Sequence, residues 1–145
     1  MHRIVDSRCV PAVRDLQAST RFYVDVLGFH RDFGDGSDGW SFLSRDAFKI
    51  MLGECAGEKP ASELGDHSYV AYLIVEGVDQ FHAEVAERGA EVLSQPATEP
   101  WGLREFSIRT PDGHRIRFGE PTGVAGEQRL KLAIRGASRL RKRAS

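Results

Sequence analysis

The chain has 145 residues, of which 41% are hydrophobic and 28% charged, and its formal net charge is −1. This is the length of one domain with a sizeable core and the composition of a soluble globular protein. No run approaches the roughly 18 apolar residues of a membrane-spanning helix, which argues against that class.

In chain order, residues 1–10 show neither the apolar stretch nor the cleavage site of a signal peptide, so a cytoplasmic location is expected. CVPAV at 9–13 reads as a strand. A helix follows, with Phe22, Tyr23, Val26 and Leu27 on one face and Gly28 placed to stop it. Three more strands are expected, broken by GDGSDG (34–39) and SRDA (44–47). The same order then recurs. YVAYLIV (69–75) is a strand. Val78, Phe81, Val85 and Ala86 mark a helix face that ends at Gly89. Three strands follow, broken by QPATEPWG (95–102) and TPDGH (110–114). In that last turn Pro111 presets φ and Gly113 supplies a positive φ. Cys9 and Cys55 lie far apart in apolar stretches and are expected to be buried free thiols.

The recurrence is also visible residue by residue. AFKIMLGE at 47–54 matches GHRIRFGE at 113–120, with Ile, Gly and Glu in register at an offset of 66. Residues 1–122 therefore form a single domain of two modules, at about 4–56 and 66–121. The expected fold class is α+β: two tandem βαβββ modules whose curved sheets surround a trough lined by alternate strand residues.

The tail at 123–145 is different in kind. It carries seven basic residues against one acid, Glu127, which leaves the first 122 residues at −7. Leu130, Ala133, Ile134, Ala137 and Leu140 share a helical face. The simplest reading is a partly ordered, solvated tail. Docking on the acidic body or a partner, and contact with nucleic acid or membrane, are the alternatives.

The duplicated module with VRDLQASTRFYVDVLGF at 13–29 resembles the vicinal oxygen chelate superfamily, which includes glyoxalase I, extradiol dioxygenases and the fosfomycin- and bleomycin-resistance proteins. The resemblance covers residues 4–121. Members with metal chemistry carry His or Glu on the first and last strand of each module. The corresponding positions here are Arg8, Met51, Val70 and Arg117. Arginine has no lone pair to offer a cation, and a thioether is too soft for Zn, Mn or Fe. No metal or other cofactor is expected.

PWGLREFSIRTPDGH at 100–114 is similar to a stretch of the bleomycin-resistance proteins, with His114 where that family has Asn. The resemblance implies a metal-independent binding protein, more a sequestering protein than an enzyme. It would hold the planar part of a cationic glycopeptide drug between Trp40 and Trp101, in a groove shared by a homodimer. Phe42, Gly102, Arg104, Glu105, Arg117 and Asp35 complete the expected ligand set, with Asp38 and Glu99 as further polar candidates. Two indole faces suit a flat, electron-poor ring, and the acidic body attracts a basic drug. Arg117 could instead bind an anion or pair with Glu105. The rival reading is a metal-dependent lyase or dioxygenase with displaced ligands such as His67 and Glu105. The histidines show no metal-ligand spacing and are expected at the surface.

Overall fold

Alternation along the strands builds two four-stranded sheets in this computed structural model, which describes residues 2–123 except the side chains of residues 66 and 67. The tail beyond Gly123 lies outside the described residues. The first sheet has the order β1 (Ala12–Val13), β4 (Phe48–Glu54), β3 (Trp40–Arg45), β2 (His30–Phe33). The second has the order β5 (Tyr69–Ile74), β8 (Arg115–Pro121), β7 (Leu103–Arg109), β6 (Glu91–Thr98). In each sheet the first strand pairs parallel with the last, and the other pairs are antiparallel. The sheets stay separate, and each carries one helix on one face.

The helix of the first module, α1 (Leu16–Arg21), begins at Asp15, whose carboxylate accepts the Ala18 N–H at 3.0 Å. The apolar spacing predicts an uninterrupted α-helix up to Gly28. The structure instead widens into a π turn over Phe22–Val26, closed by the Leu27 N–H on the Phe22 carbonyl at 3.2 Å. Gly28 ends it at φ +74°. Helix α2 (Val78–Glu87) buries Val78 and Val85. Ala86, expected on that face, is exposed. His82 takes part of its place, edge-on to Phe106 with ring centroids 5.2 Å apart. His82 and His114 are therefore half-buried rather than surface residues.

Leu43, Ile50 and Leu52 face α1, and Phe106, Ile108 and Ile116 face α2. All belong to one apolar cluster spanning both modules. Each such side chain contributes about 1.5–3 kcal/mol by burial. The repeated Ile-x-x-Gly-Glu now has a physical meaning. Ile50 and Ile116 fill the core. Glu54 accepts the Leu16 N–H at 3.1 Å at the start of α1, and Glu120 accepts the Gly77 N–H at the start of α2. Each last strand thus caps its own module's helix. Gly53 and Gly119 lie beneath aromatic rings on the opposite face, as described below.

QPAT, expected to be turn, is strand. Pro96 lies inside β6, where the register with β7 breaks between Ser94 and Ala97. Pro96 is tolerated because β6 is an edge strand with an irregularity at that point. The TPDGH turn forms as expected, with Gly113 at φ +88°. It also joins the modules. Asp112, 7% exposed, accepts the Arg14 N–H at 2.8 Å and the Ser19 hydroxyl at 3.0 Å. Asp112→Ala leaves both donors unsatisfied and is expected to lower stability by about 2–3 kcal/mol. Urea denaturation measures this, with Asp112→Asn losing less because it keeps an acceptor.

Candidate functional site

Because core side chains take one face of each sheet, the alternate residues emerge on the other. On the first sheet that face carries Trp40 and Phe42 from β3 and Met51 from β4. Phe42 pairs with Met51, and Trp40 pairs with Gly53. The Trp40 indole lies over Gly53. A Cβ there would stand 2.9 Å from the ring. Phe33 stacks on Phe42 with centroids 4.3 Å apart and planes at 22°. Arg8 closes this end. Its guanidinium sits 5.5 and 5.7 Å from the Phe33 and Phe42 centroids. It donates to the Ile50 carbonyl at 3.0 Å and to Asp32 at 3.2 Å.

The second sheet offers an equivalent face built from different residues. Glu105 pairs with Gly119 and Ser107 with Arg117. Tyr72, the neighbour of Arg117 on β5, lies over Gly119, where a Cβ would meet its hydroxyl at 2.1 Å. Both repeated glycines thus make room for an aromatic ring, Trp40 in one module and Tyr72 in the other. Glu105 is only 6% exposed. It accepts the Trp101 indole N–H at 2.9 Å and bonds the Tyr72 hydroxyl. Arg117 Nε donates to Ser107 at 3.0 Å, and Nη2 donates to the Tyr69 hydroxyl at 3.3 Å. Arg117 also lies 4.0 Å from Glu105.

The expected residues divide clearly by position. Trp40 and Phe42 share one face, and Glu105, Arg117 and Trp101 share the other. Trp101 and Trp40 are 46% and 37% exposed. Gly102, at φ +85°, forms the turn that presents Trp101, and its carbonyl accepts the Thr122 N–H at 2.9 Å. Arg104 points the other way, toward α2, where it forms a two-bond ion pair with Asp79 at 2.8 and 2.9 Å. Asp35 and Asp38 are turn formers, accepting the N–H groups of Ser37 and Trp40. The Glu99 N–H bonds the Leu103 carbonyl, which closes the turn before β7. The spacing arguments passed over Phe33, Tyr69, Tyr72 and Arg8's ring contacts. The alternation of YVAYLI could have flagged Tyr72.

The four positions equivalent to metal ligands do not fit a divalent cation. Arg8 and Arg117 present only donors, Met51 offers only a soft thioether, and Val70 packs against the core cluster. Glu105 is engaged by Trp101 and Tyr72, and the side chain of His67 lies outside the described residues. Among the described residues no group of three or more His, Cys, Asp or Glu comes together. Cys9 and Cys55 are free thiols, each half-buried.

The three tyrosines separate by environment. Burial pushes Tyr23 up, and burial together with the Glu105 carboxylate pushes Tyr72 up. Burial also acts upward on Tyr69, but the Ser107 hydroxyl and Arg117 outweigh it and hold Tyr69 below the ordinary value of 10.0. Absorbance titration at 295 nm should therefore show one tyrosine ionising well ahead of the other two. Tyr69→Phe should remove that early step.

A cleft of about 740 Å³ includes neither tryptophan. It lies between the modules, beside β5 and the β3–β4 turn. Among the described residues no helix is long and apolar enough to cross a membrane.

Comparison with known proteins agrees with this architecture. No curated protein sequence matches the chain. A glyoxalase-related enzyme from Clostridium phytofermentans is similar in fold, with TM-score 0.67, 22% identity, and coverage of 83% of this chain and 97% of that one. TnmS3, an antibiotic binding protein from Streptomyces sp. CB03234, has TM-score 0.64, 24% identity, and coverage of 83% and 100%. A superfamily member from Sphaerobacter thermophilus DSM 20745 has TM-score 0.64, 24% identity, and coverage of 80% and 98%. Residues 7–118 match the family model for these folds, and the chain belongs to the Glyoxalase/Bleomycin resistance protein/Dioxygenase superfamily.

Proposed function

We propose that this protein binds and sequesters a small molecule without a metal, gripping a flat aromatic portion between the Trp40 face and the Trp101 face. The observation that carries the reading is the pair of aromatic open faces at the positions where metal-using relatives place their ligands. Phe33, Phe42 and Trp40 line one face; Tyr69, Tyr72 and Trp101 line the other. Arg8 and Arg117 hold the equivalent ligand places.

The two faces belong to different sheets, so a homodimer that sets one chain's first module against its partner's second would complete each groove. Such a binder needs no reacting group, because a sequestered drug cannot reach its target. The antibiotic-binding activity in TnmS3's name supports the ligand class. The −7 body favours a basic drug over long range. A glycopeptide of the bleomycin type is the first ligand to try.

The test is a tryptophan fluorescence titration of the purified protein with that glycopeptide, alongside sedimentation analysis. Saturable quenching at micromolar ligand by a dimeric species supports the reading. Absence of any saturable change sinks the drug assignment.

A further inference from the structure

The cleft between the modules adjoins the second aromatic face at Tyr72, contains neither tryptophan, and has its own chemistry. Its floor is apolar, formed by Phe48, Val75 and Phe81 with Phe29 and Phe118 behind them. Its rim carries three acids, Asp46, Glu76 and Glu84. Among the described residues the one lining cation is Arg45, which is turned inward. It donates to the Leu27 carbonyl at 2.6 Å, lies 4.9 Å over the Phe81 ring and stands 3.8 Å from Glu84. Arg88 bonds Glu84 at 3.1 Å and Arg45 stands 4.0 Å from Asp46, so the rim keeps a small negative balance, carried by Glu76, around an aromatic floor. At about 740 Å³ the cleft is within the usual range of occupied pockets.

The occupant this chemistry asks for is basic and amphipathic, and the chain carries such a segment. Residues 124–145 hold seven basic residues against Glu127, with Leu130, Ala133, Ile134 and Ala137 at i, i+3, i+4 and i+7. The chain also leaves the described fold at the right place. Glu120 bonds the N–H of Gly77, which itself lines the cleft, and Gly123 follows three residues later. Leu130 is seven residues beyond Gly123, a reach of up to about 25 Å. We propose that the basic segment 124–145 docks into this cleft, with Leu130 and Ile134 on the phenylalanine floor and an arginine against Glu76.

Site-directed cross-linking in the full chain tests this. In a background with Cys9 and Cys55 replaced by serine, Ile134→Cys is combined with Gln80→Cys at the cleft, or with Leu93→Cys on β6 as control. Mild oxidation should give an intramolecular disulfide with Gln80→Cys in at least about fivefold excess over the control. Adding Glu76→Lys should reduce that excess. Equal yields at the two sites, or cross-links only between chains, would overturn the proposal. Hydrogen exchange provides a second readout without engineered cysteines. Leu130→Asp with Ile134→Asp should speed exchange at residues 73–77, and unchanged exchange there would also overturn it.

Discussion

Gly113→Ala is expected to destabilise the protein by about 3–5 kcal/mol. Two causes act together. The backbone at Gly113 has φ +88°, which an L side chain rarely adopts. A Cβ there would also stand 2.4 Å from Ser62 Cβ, 2.5 Å from Ser62 N and 2.6 Å from its Cα. Two of those atoms are backbone, so trimming Ser62 to glycine cannot relieve the clash. The same turn is tied to the linker between the modules, a 3-10 segment at Ala61–Ser68, through the Ser62 N–H on the Asp112 carbonyl, and to α1 through the Asp112 carboxylate. Displacing it loosens both modules. Gly57→Ala is the control, since a Cβ there meets nothing within 4 Å. Urea denaturation of the two variants should show a large loss for the first and little change for the second. Near-equal midpoints would show that the linker yields to the turn.

Trp101→Ala is expected to weaken ligand binding by about 2–3 kcal/mol, which is roughly 30–150-fold in Kd, because a large aromatic wall is lost from the groove. The stability of the fold should change little, since the indole is 46% exposed. On the proposed reading, Glu105 acts through Trp101 as a positioning residue, because it accepts the indole N–H. Glu105→Gln keeps an acceptor for the indole N–H and should bind nearly normally. Glu105→Leu removes the acceptor of the indole N–H and leaves the Tyr72 hydroxyl without its carboxylate. That variant should lose about 1–1.5 kcal/mol of affinity. Calorimetric titration of the three variants checks the order. Full affinity in Trp101→Ala would remove this residue from the binding site.

The sequence carried the plan of this fold because the plan is duplicated. The Ile-x-x-Gly-Glu repeat fixes a core residue, a seat for an aromatic ring and a helix cap in each module, and all three depend on alternation along one strand. Trp40, Trp101 and Glu105 came instead from the resemblance of residues 100–114 and the 44–47 turn to a known family, since Trp101 lies in a turn that alternation does not reach. Other features depend on neighbours that no local pattern reveals. The π turn at Phe22–Val26, which buries Tyr23, has the same apolar spacing as an ordinary helix. Pro96 reads as a breaker until β6 is seen to be an edge strand. Arg104 is next to Glu105 in sequence but on the opposite face of β7, where Asp79 holds it. The spacing 40, 42 identifies one wall, but Phe33 joins it only through a bulge between Arg31 and Phe33.

The central claim is binding by aromatic walls without a metal. It is tested most directly by titrating the bleomycin-type glycopeptide into chelator-treated protein by calorimetry, before and after Zn, Mn or Fe is restored. The account predicts saturable binding in the stripped protein, with Kd unchanged by any of the three ions and no ion retained after gel filtration. Binding that appears only when a metal is restored, with one ion held per chain, would contradict it.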